Sequence, residues 1–159
     1  MREILFRGKC IDETCLKGKW LEGDILHDGV TGKYYINTGN CLNESDIVGE
    51  EGLLRFVAYE VDPETVCQYT GLTDKDGRKI FEGDIVKAIY KPKDEDLTID
   101  DFIINWDKYY CKYVGHYVRK ENVYNPLLFG SQTSFEVIGN IFDNPELLKG
   151  DTENVNPTN

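Results

Sequence analysis

Two acidic side chains occupy matching places in this sequence and could do chemistry. Asp24 and Asp84 each follow a Glu-Gly dipeptide, within the similar segments 18–26 and 77–86. A pair of carboxylates could transfer protons or hold Mg²⁺. The same side chains also suit turns, because an Asp carboxylate accepts hydrogen bonds from turn N–H groups. We favour the turn role for both, and therefore predict no catalytic and no metal-binding residues.

Histidine and cysteine do not form a recognisable site either. The two histidines, His27 and His116, lie far apart in sequence, and nucleophile motifs and phosphate-binding glycine loops do not occur. The five cysteines include no Cys-x-x-Cys pair, which a zinc site would need. We interpret them as reduced thiols, with a disulfide between Cys10 and Cys15, across a predicted turn, as an alternative. The sequence thus predicts no cofactor and a protein that is not an enzyme.

One segment has the composition of a nucleic-acid-binding surface. Aromatic and basic residues mix between positions 106 and 124, and stacking bases while neutralising phosphates needs both. Strand packing also explains the tyrosines, because tyrosine is common in strands and fills cores. Alternation along a strand leaves at most one face of the segment free to bind. The residues predicted for such a surface are Trp106, Lys108, Tyr110, Lys112, Tyr117, Arg119 and Lys120.

The composition limits the possible partners. The 159 residues carry a formal net charge of −11, and 40% of them are hydrophobic. The apolar fraction is sufficient for a packed core, whereas the negative charge disfavours a phosphate backbone or an anionic membrane as partner. No stretch approaches the ~20 apolar residues of a membrane-spanning helix, and the start of the chain has no secretory signal. We therefore expect a cytoplasmic protein without a membrane partner.

Short strands separated by glycine turns dominate the sequence. They predict a mostly β protein made of small barrel-like or sandwich-like modules. A tight hairpin is expected at Asp76 and Gly77, and a second turn at residues 82–84 leads into a strand at 85–90. The similar segment predicts the same turn at residues 22–24. Further strands are predicted at residues 4–10, 33–36, 53–61, 102–106, 109–114 and 135–138.

The last part of the chain has the sequence of a short helix. Asn144 can cap it, Pro145 suits its first position, and Glu146 complements the helix dipole. Upstream, Pro63 marks the best internal boundary, because proline lacks the N–H that a central strand requires. The predicted domains are an N-terminal β module at residues 1–61, a C-terminal β-barrel module at 65–149 and a polar tail at 150–159.

Two long motifs resemble those of the YopX family of phage and prophage proteins. The first lies in residues 68–86 and contains QYTGL, DKDG and IFEGDIV; the second, in residues 135–148, reads FEVIGNIFDNPELL. Residues 2–9 also fit that family's start. The resemblance implies a mostly β fold, a phage or prophage origin in a bacterium, and a tendency to self-associate. It implies no activity and no catalytic residues, because the function of the family is unknown.

These observations favour a non-enzymatic protein of the bacterial cytoplasm that works by binding and forms a homo-oligomer. Exposed strand edges in a small β protein need covering, and partner chains can cover them. A host or phage protein is a further expected partner. Two alternatives stay open. One is a barrel that binds single-stranded nucleic acid through the segment from Trp106 to Tyr124, and the other is an acidic decoy of a host DNA-binding protein.

Overall fold

The structure, a computed structural model, describes six stretches of the chain: residues 3–13, 16–39, 57–90, 97–118, 124–125 and 133–148. The described residues form antiparallel strands and two short 3-10 helices. They divide into two compact units, Met1–Tyr69 and Thr70–Asn159. The strand at Cys67–Thr73 begins in the first unit and ends in the second.

The first unit is a set of antiparallel strands in the order β4-β3-β2-β1-β5. Its core is a cluster of buried side chains: Cys10, Leu21, Ile36, Tyr59 and Val61. A 3-10 helix at Pro63–Thr65 follows β4, and Asp62 caps it by accepting the N–H of Glu64. The strands are β1 (Phe6–Lys9), β2 (Trp20–His27), β3 (Tyr34–Asn37), β4 (Ala58–Val61) and β5 (Cys67–Thr73).

Strand β2 changes its pairing partner halfway along without a break. Its first half pairs with β1, with Gly23 opposite Phe6, and its second half pairs with β3, with Asp24 opposite Asn37. A Cβ on Gly23 would lie 1.9 Å from the carbonyl oxygen of Asn37, so only glycine permits this close approach. The turn predicted at residues 22–24 is therefore wrong, and so is the turn role of Asp24.

The second unit contains a five-stranded antiparallel sheet in the order β10-β9-β8-β7-β11. One face of this sheet carries most of the core, and Ile80, which lies outside the sheet, completes it. The core residues are Ile80, Val86, Ala88, Phe102, Ile104, Tyr113, Phe135 and Val137. Besides the end of β5, the strands are β6 (Lys79–Phe81), β7 (Asp84–Tyr90), β8 (Leu97–Asp107), β9 (Lys112–Tyr117), β10 (Tyr124–Asn125) and β11 (Thr133–Asn140).

The turn between β6 and β7 joins the two long motifs. Gly83 has a φ of +77°, which a residue with a side chain adopts only at a cost. Its N–H donates to the carbonyl of Ile104 over 2.8 Å, and its carbonyl accepts from the N–H of Ile141 over 3.0 Å. The buried Asp84 accepts the N–H of Phe81 over 2.8 Å. The second Glu-Gly-Asp turn and the turn role of Asp84 are thus confirmed.

The predicted C-terminal helix is wrong. Residues Pro145–Leu148 form a 3-10 helix of four residues, too short for the cooperative nucleus of an α-helix. The side-chain oxygen of Asn144 accepts the N–H of Asn140 over 3.3 Å. A Cβ on Gly139 would lie 2.5 Å from that oxygen. Asn144, the residue predicted to cap the helix, therefore bonds to Asn140, the last residue of β11.

The predicted barrel is also wrong, because the described strands form open sheets. A barrel needs a continuous ladder around its circumference. In the first unit, a single bridge pair joins Cys10, just after β1, to Val61, the last residue of β4, and no ladder continues from it within the described residues. The mostly β class itself is confirmed, and the described strand pairs are antiparallel.

Most predicted strands are present with shifted ends. The strands predicted at residues 4–10, 33–36, 102–106 and 135–138 correspond to β1, β3, β8 and β11. The strand predicted at 53–61 is seen as β4, and its residues 53–56 lie outside the described part. The strand predicted at 109–114 starts only at Lys112, because residues 108–111 form a turn.

The three cysteines in the described stretches form no disulfide with one another. Cys10 and Cys67 are buried, and Cys111 is exposed. The alternative disulfide of Cys10 with Cys15 stays a prediction, because Cys15 lies outside the described residues. Within the described residues, no helix has the length and apolar character needed to cross a membrane.

Candidate interaction surface

The hairpin between β8 and β9 carries a group of exposed aromatic side chains. Trp106 ends the apolar row of β8 and is 46% exposed, and the two tyrosines of the turn, Tyr109 and Tyr110, are 84% and 57% exposed. We name residues 106–112 the hairpin tip. Single exposed apolar residues are ordinary, whereas a contiguous group of aromatic side chains is typical of an interaction site.

The backbone of the hairpin tip is held by its own acidic residue. The Asp107 carboxylate accepts the N–H of Tyr109 over 2.8 Å and that of Tyr110 over 3.1 Å. Cys111 then adopts a φ of +50°, which returns the chain into β9. Because residues 108–111 form a turn, strand alternation does not apply to them, and the two consecutive tyrosines are both exposed.

Two lysines of the hairpin tip lie over its tyrosine rings. The Nζ of Lys108 is 5.3 Å from the ring centroid of Tyr109, and the Nζ of Lys112 is 5.5 Å from that of Tyr110. Both distances fit a cation–π contact, which favours the ammonium group over the ring face. The hairpin tip is therefore aromatic and cationic, although the protein as a whole is acidic.

The structure gathers four of the seven residues predicted for nucleic-acid binding: Trp106, Lys108, Tyr110 and Lys112. Tyr117 lies at the far end of β9 and packs on the core, with its ring 4.4 Å from that of Phe102. Its partial burial makes it a packing residue in this unit. The last two predicted residues, Arg119 and Lys120, lie outside the described part of the chain.

The set predicted for nucleic-acid binding omitted Tyr109, the most exposed aromatic residue of the hairpin tip. Treating the segment from Tyr109 onward as a strand placed that side chain on the same face as Tyr113, which is buried and contacts Trp106 edge-on at 5.1 Å. The sequence did contain a sign of the turn, because an Asp side chain bonds the N–H groups two and three residues on. Asp107 occupies that position.

A second feature of this unit is a pocket beside the start of β11. It has a volume of about 280 Å³. The Oγ of Ser134 is buried there, and none of the described residues forms a hydrogen bond with it. The pocket separates the end of β5 and the turn after it from the first residues of β11. Its lining residues are Leu72, Thr73, Asp74, Lys75, Thr133, Ser134 and Phe135.

Next to the pocket, the turn between β5 and β6 is fastened to β11. The N–H of Lys75 donates to the carbonyl of Phe135 over 2.8 Å. The N–H of Val137 donates to the carboxylate of Asp74 over 3.2 Å. The Nζ of Lys75 also pairs with Glu136 over 3.1 Å. Three consecutive residues of β11 are thus held by two residues of one turn.

The pKa values of these two turn residues follow from their contacts. Burial alone would raise the pKa of Asp74, but hydrogen bonds from the N–H groups of Arg78, Val137 and Asp76 outweigh burial and lower the pKa below its ordinary value. The pKa of Lys75 is raised, chiefly by its hydrogen bond to Glu136 and then by the charge of that carboxylate. Both groups are therefore held in their charged forms at neutral pH.

The aspartates and histidines that could serve catalysis lie outside the hairpin tip. Asp24 is exposed on β2, whereas the buried Asp84 belongs to the β6–β7 turn. His27 stacks on Tyr34 with 4.4 Å between ring centroids. Within the stretches described, no three acidic, histidine or cysteine side chains gather as a metal-ligand set. The hairpin tip is therefore the surface on which a functional hypothesis can be built.

Comparison with known proteins agrees with the two long motifs. The family model described as "YopX protein" matches residues 31–149. No curated protein matches the chain. A solved structure, "Crystal structure of protein EF1440 from Enterococcus faecalis", is similar in fold with a TM-score of 0.53; it is 24% identical in sequence, and the match covers 94% of this chain and 100% of that chain. Because the family model spans more than half of the sequence, the chain belongs to the YopX family.

Proposed function

We propose that this protein is a non-enzymatic binding protein of phage or prophage origin that acts in the bacterial cytoplasm and self-associates through the hairpin tip. The observation that carries the proposal is the exposure of Trp106, Tyr109 and Tyr110 on one hairpin. Aromatic residues are enriched at protein interfaces and supply large contact areas at low cost in side-chain entropy. Burying them between copies removes that area from water.

The proposal that the protein is not an enzyme has its own support. Two buried acidic residues of the first long motif serve the backbone: Asp74 accepts three N–H groups and Asp84 accepts that of Phe81. A general base needs a carboxylate that can reach a substrate proton. Carboxylates already engaged by backbone amides are poorly suited to that task.

Size-exclusion chromatography with light scattering tests self-association. We expect a species larger than the 18.3 kDa chain at micromolar concentration, and a return to 18.3 kDa in the double variant Tyr109→Ser/Tyr110→Ser. The control is Val30→Ser, since Val30 is 95% exposed in the first unit and should leave the assembly intact. A monomeric wild-type protein, or an assembly that tolerates the double variant, would contradict the proposal.

Single-stranded nucleic acid is the second candidate partner of the hairpin tip. The specific observation in its favour is the pair of lysines that lie over exposed tyrosine rings. Bases can stack on such rings while the ammonium groups contact phosphates. The net charge of −11 opposes this binding and would make it weak at physiological salt.

Fluorescence anisotropy with a labelled oligothymidylate over a salt series tests this candidate. Each lysine–phosphate contact should contribute about 0.7 to the slope of log affinity against log salt. Lys108→Gln and Lys112→Gln should each lower the slope by that amount, whereas Lys17→Gln in the first unit should not. Absence of binding at low salt would eliminate nucleic acid as a partner.

A further inference from the structure

Strand β11 lies at the end of its sheet, so its outer edge faces no other described strand of that sheet. Among the described strands of the second unit, β11 pairs with β7 alone. A terminal strand presents alternate N–H and C=O groups on its outer side, which can pair with a strand of another chain. Antiparallel geometry points both backbone groups of every second residue outward. The carbonyl of Phe135 and the N–H of Val137 are two such groups, because both bond to the β5–β6 turn.

The β5–β6 turn takes the place of a neighbouring strand. Lys75 donates its backbone N–H to Phe135, as a paired strand would, and the carboxylate of Asp74 accepts the N–H of Val137 as a strand carbonyl would. The ion pair of Lys75 with Glu136 adds a third contact on the residue between them. These contacts occupy two outward backbone groups of β11, the carbonyl of Phe135 and the N–H of Val137.

The contact ends where the pocket begins. The pocket of about 280 Å³ lies between residues 72–75 and residues 133–135, so the turn and the strand separate toward the start of β11. The edge is thus covered at residues 135–137 and has open space beside its first residues, Thr133 and Ser134. An incoming strand would contact β11 at Thr133 first and would then displace the turn from Phe135.

We propose that the β5–β6 turn is an autoinhibitory contact that prevents β11 from pairing with β11 of a second copy of this chain. The strand is complementary to itself in the antiparallel sense. If two copies pair with Phe135 opposite Phe135, the outward groups of Thr133 face those of Val137, and Ser134 lies opposite Glu136. This register places no like charges opposite one another, since Glu136 is the one charged residue of β11.

The variant Lys75→Pro tests the proposal at a single hydrogen bond. Lys75 is the second residue of a turn in which the N–H of Gly77 donates to the carbonyl of Asp74 over 3.1 Å, a position where proline is favoured. The substitution therefore suits the turn but removes the N–H that Phe135 accepts. We expect the mass by light scattering to rise from one chain to two in the Tyr109→Ser/Tyr110→Ser background, which lacks the association proposed for the hairpin tip.

Two controls separate the contact from general instability. Lys75→Ala keeps the backbone N–H and should stay monomeric in the same background. Adding Thr133→Pro to Lys75→Pro removes an outward N–H of β11 and should restore the monomer. A Lys75→Pro protein that stays monomeric, or a dimer that tolerates Thr133→Pro, would overturn the proposal while leaving the hairpin-tip hypothesis untouched.

A second measurement covers the case in which Lys75→Pro does not fold. Asp74→Asn keeps one oxygen for the N–H groups of Asp76 and Arg78 but sets an amide NH₂ against the N–H of Val137. A synthetic peptide with the sequence of residues 133–140 should bind this variant at least tenfold more tightly than the wild-type protein. Equal affinity for both proteins would overturn the proposal.

Discussion

The tripeptide Glu-Gly-Asp occurs once in each unit, and the two copies have opposite roles. At residues 82–84 the chain reverses. Gly83 has a φ of +77°, and the buried carboxylate of Asp84 accepts the N–H of Phe81. At residues 22–24 the chain runs straight through β2 while the pairing passes from β1 to β3. Identical residues thus form a turn where the local backbone requires positive φ, and a strand where two partner strands hold the chain extended.

The glycines should separate the two roles most sharply. Gly23→Ala is expected to destabilise the first unit by about 3 kcal/mol or more, because its Cβ would lie 1.9 Å from the backbone oxygen of Asn37 and the β2–β3 ladder would have to move. Urea unfolding measures the loss. Gly29→Ala is the control, since a Cβ there meets nothing within 4 Å. A loss below about 1 kcal/mol would mean that the ladder adapts to a Cβ and that β2 does not require glycine at residue 23.

The two aspartates come next. Asp84→Ala should cost about 2–3 kcal/mol, because it leaves the buried N–H of Phe81 without its charged acceptor. Asp24→Ala should change stability by less than about 0.5 kcal/mol, since its side chain is exposed on β2. Unfolding curves of the two variants provide the comparison. Equal effects would show that the carboxylates are equivalent after all.

A smaller effect is expected at the glycine of the true turn. Gly83→Ala should cost about 1–2 kcal/mol, the price of positive φ for a residue with a Cβ. The added Cβ itself would make only ordinary contacts at 3.4 Å with Ile141 and Phe142. Gly83→Asn should recover part of the loss, because asparagine tolerates this conformation better. If alanine and asparagine were equally harmful, packing and not φ would limit this position.

The effect of low pH on stability should differ least between the two units. It depends on one turn carboxylate in each unit, Asp28 in the first and Asp74 in the second. The pKa of Asp74 is lowered, and so is that of Asp28, chiefly by its hydrogen bond from Thr31. A carboxylate with a lowered folded pKa stabilises the fold above its unfolded value of 3.8, and this contribution is lost as pH falls through the folded pKa.

The difference in stability between wild type and Asp74→Asn should therefore be about 1–2 kcal/mol at pH 7 and should narrow between pH 5 and pH 3. Asp28→Asn should show a smaller difference with the same direction, because solvent screens that turn. Urea unfolding across this pH range measures both. A difference that widens toward pH 3 would contradict the role assigned to the Asp74 carboxylate.

The hairpin tip shows how far a candidate site could be predicted. The mixture of aromatic and basic residues indicated the right segment, and four of the predicted residues lie together there. Tyr109 was omitted because a strand was expected, whereas Asp107 closes a turn at that point. Tyr117 was included because its burial against Phe102 depends on packing between strands, which periodicity along one strand does not show.

The sequence by itself determined the features that a few neighbouring residues control. These are the mostly β class, the hairpin at Gly77, the turn at Gly83, and the motifs that identify the family. Their physical cause is local, since positive φ and side-chain bonds to nearby N–H groups act within a turn. The tertiary structure alone decided the straight course of β2, the open form of the sheets and the cover over β11. Each of these depends on hydrogen bonds and close approaches between residues distant in sequence, and no short window of the chain contains both partners.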